Sequence, residues 1–129
     1  MQMAALNKPS LCATLFLSLV SLLSCSSCSN TLKSTSVSPD GQLKVNVYHR
    51  NCGATTDYSS IVNLQRTSDR FDSDDGVLFI AKGQYGPSVT WTGPRALLIT
   101  CTACSRTNVF REVVALGDID VTYTIGPSQ

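Results

Sequence analysis

Ile119-Asp120-Val121-Thr122-Tyr123-Thr124-Ile125 is the stretch that decides the fold class. Apolar side chains alternate with polar ones from Ile119 to Ile125. A period of two puts the apolar set on one face of an extended strand, whereas a helix would scatter it around the circumference. Leu43, Val45 and Val47 alternate in the same way with Lys44, Asn46 and Tyr48, which predicts a second strand with one buried face. The segments 60–65, 77–81, 89–91 and 96–101 read as shorter strands. Ala96-Leu97-Leu98-Ile99 lacks alternation, so it is expected to be covered on both faces. Over 109–116 helix and strand compete, because Arg111-Glu112-Val113-Val114-Ala115 suits a short helix as well.

The punctuation between these runs is that of a β protein. In Ser38-Pro39-Asp40-Gly41 the proline presets φ, and the glycine supplies the left-handed exit of a turn. Thr92-Gly93-Pro94-Arg95 reads as a hairpin connection, and 51–56, 68–76 and 83–88 read as loops. Short strands separated by turn signals predict a mainly β domain: a small antiparallel sheet or sandwich of six to eight short strands. The expected core is Leu43, Val45, Val47, Val62, Leu64, Leu78, Ile80, Trp91, Leu97, Ile99, Ile119, Val121 and Tyr123.

The amino-terminal segment is different. Met1 to Pro9 carries Lys8, and an uncharged run then extends from Leu11 to Leu23. Crossing a bilayer takes about 20 apolar residues, so this run is short for a transmembrane helix and has the length of a signal-peptide apolar region. It ends in Leu22-Leu23-Ser24-Cys25, which resembles the lipobox of bacterial lipoproteins: an apolar residue, a small residue, then cysteine. That resemblance implies cleavage before Cys25 and lipid on its sulfur. Leu23 departs from the Ala or Ser more usual at its position. Ser rather than Asp at position 26 favours the outer membrane, facing the periplasm. The chain accordingly divides into a signal peptide at 1–24, a Ser/Thr-rich tether at 25–36 and a β domain at 37–129. An ordinary signal peptide releasing a soluble exported protein is the bland alternative.

Charge excludes one class of partner. The chain has ten Lys plus Arg and nine Asp plus Glu; leaving out Lys8 makes the balance from Cys25 onward nine against nine. Nucleic acid calls for a basic excess or stripe, so it is not an expected partner.

Ser38-Pro39-Asp40-Gly41 followed by Cys52-Gly53-Ala54-Thr55-Thr56 is similar to a group of small uncharacterised bacterial exported proteins. Trp91-Thr92-Gly93 and the closing Ile119-x-Val121-x-Tyr123 strand extend the likeness over about Ser38 to Tyr123. The resemblance implies a β-rich fold and an envelope location, and no activity. Cys101 and Cys104 stand outside the shared pattern.

With Cys25 assigned to lipid, Cys28, Cys52, Cys101 and Cys104 remain after the leader. In an exported domain an even set reads first as disulfides. A bridge from Cys52 to Cys101 or Cys104 is the preferred pairing, with Cys28 the odd partner or a free thiol. Cys101-Thr102-Ala103-Cys104 also has the spacing of a redox CxxC, with Arg106 nearby to favour a thiolate, but it lacks the expected βαβ context. His49, Cys52, Cys101 and Cys104 have zinc stoichiometry without a second close ligand pair. His49 with Ser59, Ser60 and Asp57 supplies hydrolase residue types without a nucleophile-elbow sequence. Asp69, Asp72, Asp74 and Asp75 form an acidic cluster whose spacing is not that of an EF-hand, so a solvated loop is preferred to a calcium site. Trp91 and Tyr85 are candidates for a sugar platform, although a lone Trp between strands more often packs in a core.

The resulting expectation is a membrane-anchored envelope lipoprotein, a binding module for an envelope protein or polymer, without cofactor or metal. The alternatives are a thiol-disulfide redox protein using Cys101 and Cys104, or an inhibitor or immunity protein.

Overall fold

The computed structural model describes residues 27–127. The fold is mainly β, with nine strands: β1 (Ser29–Val37), β2 (Leu43–Asn51), β3 (Ser59–Arg66), β4 (Val77–Lys82), β5 (Ser88–Gly93), β6 (Ala96–Cys101), β7 (Val109–Glu112), β8 (Ala115–Leu116) and β9 (Ile119–Ile125). A 3-10 turn, Arg106–Asn108, precedes β7. One sheet has the order β1-β2-β3-β4-β7 and the other β5-β6-β9-β8.

The first sheet is antiparallel throughout. The second is mixed, because β6 and β9 run parallel, with Leu97 beside Val121 and Ile99 beside Tyr123. Every other strand pair is antiparallel, as the mainly antiparallel expectation has it. The chain between β6 and β9 crosses to the first sheet as β7 and returns as β8, which leaves β9 pointing the same way as β6.

Between the sheets lie Val45, Val47, Val62 and Leu64 from the first, and Leu97, Ile99, Ile119 and Val121 from the second. Phe79 stacks on Tyr123 across this layer, ring centroids 5.8 Å apart. The alternation of β9 is realised as read: Ile119 and Val121 are buried, while Asp120, Thr122 and Thr124 are exposed. Trp91 is half-buried against the core, and its indole N–H donates to the Ser36 carbonyl at 3.3 Å.

The turns follow their sequences. Gly41 N–H donates to the Ser38 carbonyl at 2.8 Å, and Gly41 has φ +78°. The Asp40 carboxylate accepts from the Ser38 hydroxyl and the Gln42 amide. Those two bonds, with Arg95 nearby, hold the Asp40 carboxyl below its usual range. Gly93 faces Ala96 across the β5–β6 hairpin.

Several expectations are corrected. The described part of the 25–36 tether is not a tether from Ser29 onward: β1 pairs with β2 along its length, from Ser29 with Asn51 to Val37 with Lys44. An edge strand needs little apolar surface when its backbone is paired, so a Ser/Thr-rich composition does not exclude it. Nine strands are present among the described residues rather than six to eight, because the Ser/Thr-rich segment forms β1 and 109–116 forms two strands, not a helix. Ala96-Leu97-Leu98-Ile99 is covered on one face only: Leu97 and Ile99 are buried, Ala96 and Leu98 partly exposed. Ile80 is not in the core. Conversely, β2 is covered on both faces from Val45 to Tyr48.

That last cover comes from the 67–76 segment, which folds over the outer face of β2 and β3. Phe71 meets the Tyr48 ring edge-on at 5.0 Å. The side chains beneath are amides. Asn46 Nδ2 donates to Asn63 Oδ1 at 2.9 Å and to Gln65 Oε1 at 3.1 Å. Asn63 Nδ2 reaches the carbonyls of Asp72 and Asp75, both at 2.8 Å. Gln65 Nε2 donates to the Arg70 carbonyl, and Gln65 Oε1 accepts from the Asp72 amide. Tyr48 donates its hydroxyl proton to the Ser73 carbonyl at 2.6 Å. Burial pushes the Tyr48 hydroxyl up to about 12. Buried amides persist because each finds a partner, and here the partners are the backbone of a loop that would otherwise be loose.

Candidate functional site

Cys25 lies outside the described residues. The four cysteines among the described residues form two disulfides, Cys28–Cys52 and Cys101–Cys104. The preferred pairing of Cys52 with Cys101 or Cys104 is therefore corrected. Cys28 lies immediately before β1, and β1 pairs with β2, which ends at Asn51; the strand register itself brings Cys28 to Cys52. Reading β1 as tether hid this. Cys101 and Cys104 close a tight turn at the end of β6, where Cys104 N–H donates to the Cys101 carbonyl at 3.2 Å. Both residues are 2% exposed and belong to the core. No free thiol and no zinc set remains among the described residues.

His49 and Ser60 face each other across β2 and β3. Their polar atoms hold the loop that follows β4. His49 Nε2 lies 2.8 Å from the Tyr85 carbonyl. Ser60 Oγ donates toward the Gly83 carbonyl at 2.7 Å and accepts from the Tyr85 amide, also at 2.7 Å. Asp57 is paired instead with Lys82 at 3.0 Å. The hydrolase residues are thus partly gathered, but His49 and Ser60 serve as a latch for backbone. Tyr58, Lys82, Gly83, Gln84, Tyr85 and Asn108, with Asp57, line an open depression of about 420 Å³ beside this latch. Tyr85 bonds to Asn108 there, while Trp91 bonds to the Ser36 carbonyl on β1, so the two aromatics have separate structural tasks.

The acidic cluster does not converge. Asp74 pairs with Arg50 at 3.2 Å, Asp72 Oδ1 accepts from the Asp74 amide, and Asp75 accepts from Gln65 at 3.5 Å. The loop carbonyls that would complete a cation shell are already taken by Asn63, Gln65 and Tyr48. The loop is held by amides rather than kept open by charge.

Sequence reasoning missed the surface formed by 109–116. Here β7 ends the first sheet and β8 ends the second, so the segment runs along the side of the sandwich where both sheets stop. Phe110 is 65% exposed, Val114 67% and Leu116 39%. Beside them is a depression of about 390 Å³ lined by Val77, Ile80, Val113 and Leu116, with Arg111 and Asp74 at its rim. The backbone there is fixed from behind by Tyr123. Its hydroxyl accepts from the Val113 amide at 3.1 Å and lies 2.8 Å from the Val113 carbonyl and 3.1 Å from that of Leu78. Burial pushes the Tyr123 hydroxyl up to about 12, despite the Val113 amide that favours its ionised form. Consecutive apolar residues at Val113 and Val114 were the available signal: both fall in the link between β7 and β8, where Val113 packs against the core and Val114 is exposed. Phe110, Val114 and Leu116 thus leave large apolar side chains exposed on one short segment.

No family model, no curated protein and no solved structure matches the chain. No helix among the described residues is long and apolar enough to cross a membrane.

Proposed function

We propose that this chain is a bacterial envelope lipoprotein, anchored by lipid on Cys25, whose β sandwich binds a protein partner through the 109–116 strip. The observation that carries the binding reading is the exposure of Phe110, Val114 and Leu116 along one side of the sandwich, on a backbone held rigid by Tyr123. A rigid apolar surface loses little conformational entropy on association. The lipobox-like Leu22-Leu23-Ser24-Cys25 supports the anchor, and two disulfides support an oxidising compartment.

The reading is tested by photo-crosslinking from position 114 in intact envelopes. Discrete protein adducts that disappear when Phe110→Ser is added support it. No adducts, or the same adducts from a probe at exposed Thr122, would contradict it.

A thiol-disulfide role is the second reading, because Cys101 and Cys104 are joined across CxxC. Exchange requires an attacking thiolate to reach a sulfur. The 2% exposure of both residues weighs against it. Rapid reduction of this bridge by a small dithiol in the folded protein would favour it.

A further inference from the structure

We propose that the end of the sandwich carrying the Cys28–Cys52 disulfide lies flat against the lipid headgroups, so that the domain is held in one orientation on its membrane. The proposal rests on the lipid-anchor reading of Cys25. Only Ser26 and Ser27 separate Cys25 from Cys28. Each residue advances an extended chain by at most about 3.6 Å, so whatever conformation these residues take, the anchor lies within roughly 11 Å of Cys28. Cys28 is bonded to Cys52, and the next residue, Ser29, already pairs with Asn51. No length remains for a linker: the disulfide clamps the strand at the point where it would otherwise peel away. A β1 detached as far as Val37 would instead let the domain stand off by several times that distance.

The surface that this places downward is consistent with a headgroup layer. The 52–58 loop and the 83–86 loop share this end, joined by the Gly83 amide donating to the Tyr58 carbonyl at 2.7 Å. Asn51 Nδ2 donates to the Tyr58 hydroxyl at 3.3 Å. Gly53, Thr55, Thr56 and Gln84 are exposed and uncharged, Tyr58 is 39% exposed, and the Lys82 charge is paired with Asp57. Tyrosine suits the membrane–water boundary, with its ring among apolar groups and its hydroxyl wet. The opposite end carries the 38–41 turn, with Arg95 bridging Asp40 and Asp118 at 3.8 and 3.4 Å. The nine residues of β2 separate the two ends by roughly 30 Å. The 109–116 strip runs along the side, where a membrane does not cover it.

The test uses the full lipidated chain in vesicles of phosphatidylethanolamine and phosphatidylglycerol containing a nitroxide-headgroup lipid, read by amide NMR intensities. The mass of the amino-terminal peptide is measured on the same sample. The proposal expects a diacylglycerol mass on Cys25, loss of intensity at Gly53, Thr55, Thr56 and Gln84, and retention at Gly41 and Asp118. Inserting about 12 Gly/Ser residues between Ser27 and Cys28, a coil of roughly 20 Å, should restore the lost signals. With the lipid mass present, equal loss at both ends, or loss that survives the insertion, would overturn the orientation alone. Absence of the lipid mass would overturn the anchor reading, and the orientation with it.

Discussion

Asn46 and Asn63 face each other across β2 and β3, and the Nδ2 of Asn46 donates to the Oδ1 of Asn63 at 2.9 Å. Asn46 also accepts from the Thr35 hydroxyl at 2.9 Å, which extends the chain of bonds to β1. From Asn63 the chain continues into the carbonyls of Asp72 and Asp75. One row of amides therefore fastens the edge strand on one side and the 67–76 loop on the other. Asn63→Ala should orphan the Asp75 carbonyl and leave the Asp72 carbonyl and the Asn46 amide each one bond short, since Asp72 keeps the Asp75 amide and Asn46 keeps Gln65; the cost is about 1–3 kcal/mol for a group that water cannot reach. Hydrogen exchange should quicken at Asp72 and Asp75 while β9 stays protected. Unchanged exchange in that loop would mean that the amides do not hold it.

Gly76 supplies the carbonyl that accepts from the Leu64 amide at 2.9 Å, at the bulge between β3 and β4. It has φ +65°, and a Cβ on it would lie 2.0 Å from the Leu64 carbonyl oxygen. Gly76→Ala is expected to cost more than about 2 kcal/mol in denaturant unfolding, combining left-handed strain with a backbone clash. Gly53→Ala is the control: φ is +126° there, but nothing lies within 4 Å. Equal losses for the two variants would argue against the close approach at Gly76.

Tyr48 and Tyr123 both keep their protons to about 12 in the folded state, because burial opposes the charged form. In the unfolded chain they ionise near the ordinary value of 10.0. Between those values the unfolded state binds fewer protons than the folded one, so stability falls as pH rises. Their contribution is fully present below pH 10 and is lost toward pH 12. Tyrosinate absorbance should therefore rise together with loss of β circular dichroism. Phenolate formation by both residues well before unfolding would contradict the buried hydroxyls of Tyr48 and Tyr123.

Peptide mapping without reduction should give the pairs Cys28–Cys52 and Cys101–Cys104, with no Cys52–Cys101 or Cys52–Cys104 peptide. Chain entropy gives the Cys28–Cys52 bridge, with sequence separation 24, about 3.5 kcal/mol, and the Cys101–Cys104 bridge, with separation 3, about half of that. The double variant Cys28→Ser/Cys52→Ser should lower stability by about 2–4 kcal/mol and expose β1 amides to exchange before those of β3.

The alternation of β9, the Ser38-Pro39-Asp40-Gly41 turn and the β5–β6 hairpin were legible in the sequence because their causes are local: pleat geometry, proline φ and a left-handed glycine. Most of the core followed from the same pattern. What could not be read depends on partners distant in sequence. The edge strand β1 owes its shape to pairing with β2 rather than to its own side chains, and the Cys28–Cys52 pairing followed from that hidden strand. Tyr48 looked solvent-facing because the pattern cannot tell that 67–76 folds over it. The parallel pairing of β6 with β9 depends on where the intervening chain travels. The exposed strip was obscured at Val113 and Val114, where helix and strand fitted equally well.

The anchor is tested most directly by labelled palmitate supplied to growing cells, comparing the native chain with Cys25→Ala. The account predicts label in the native protein, its loss in the variant, and accumulation of a larger unprocessed form. Label retained in Cys25→Ala, or a native protein that carries none, would contradict it.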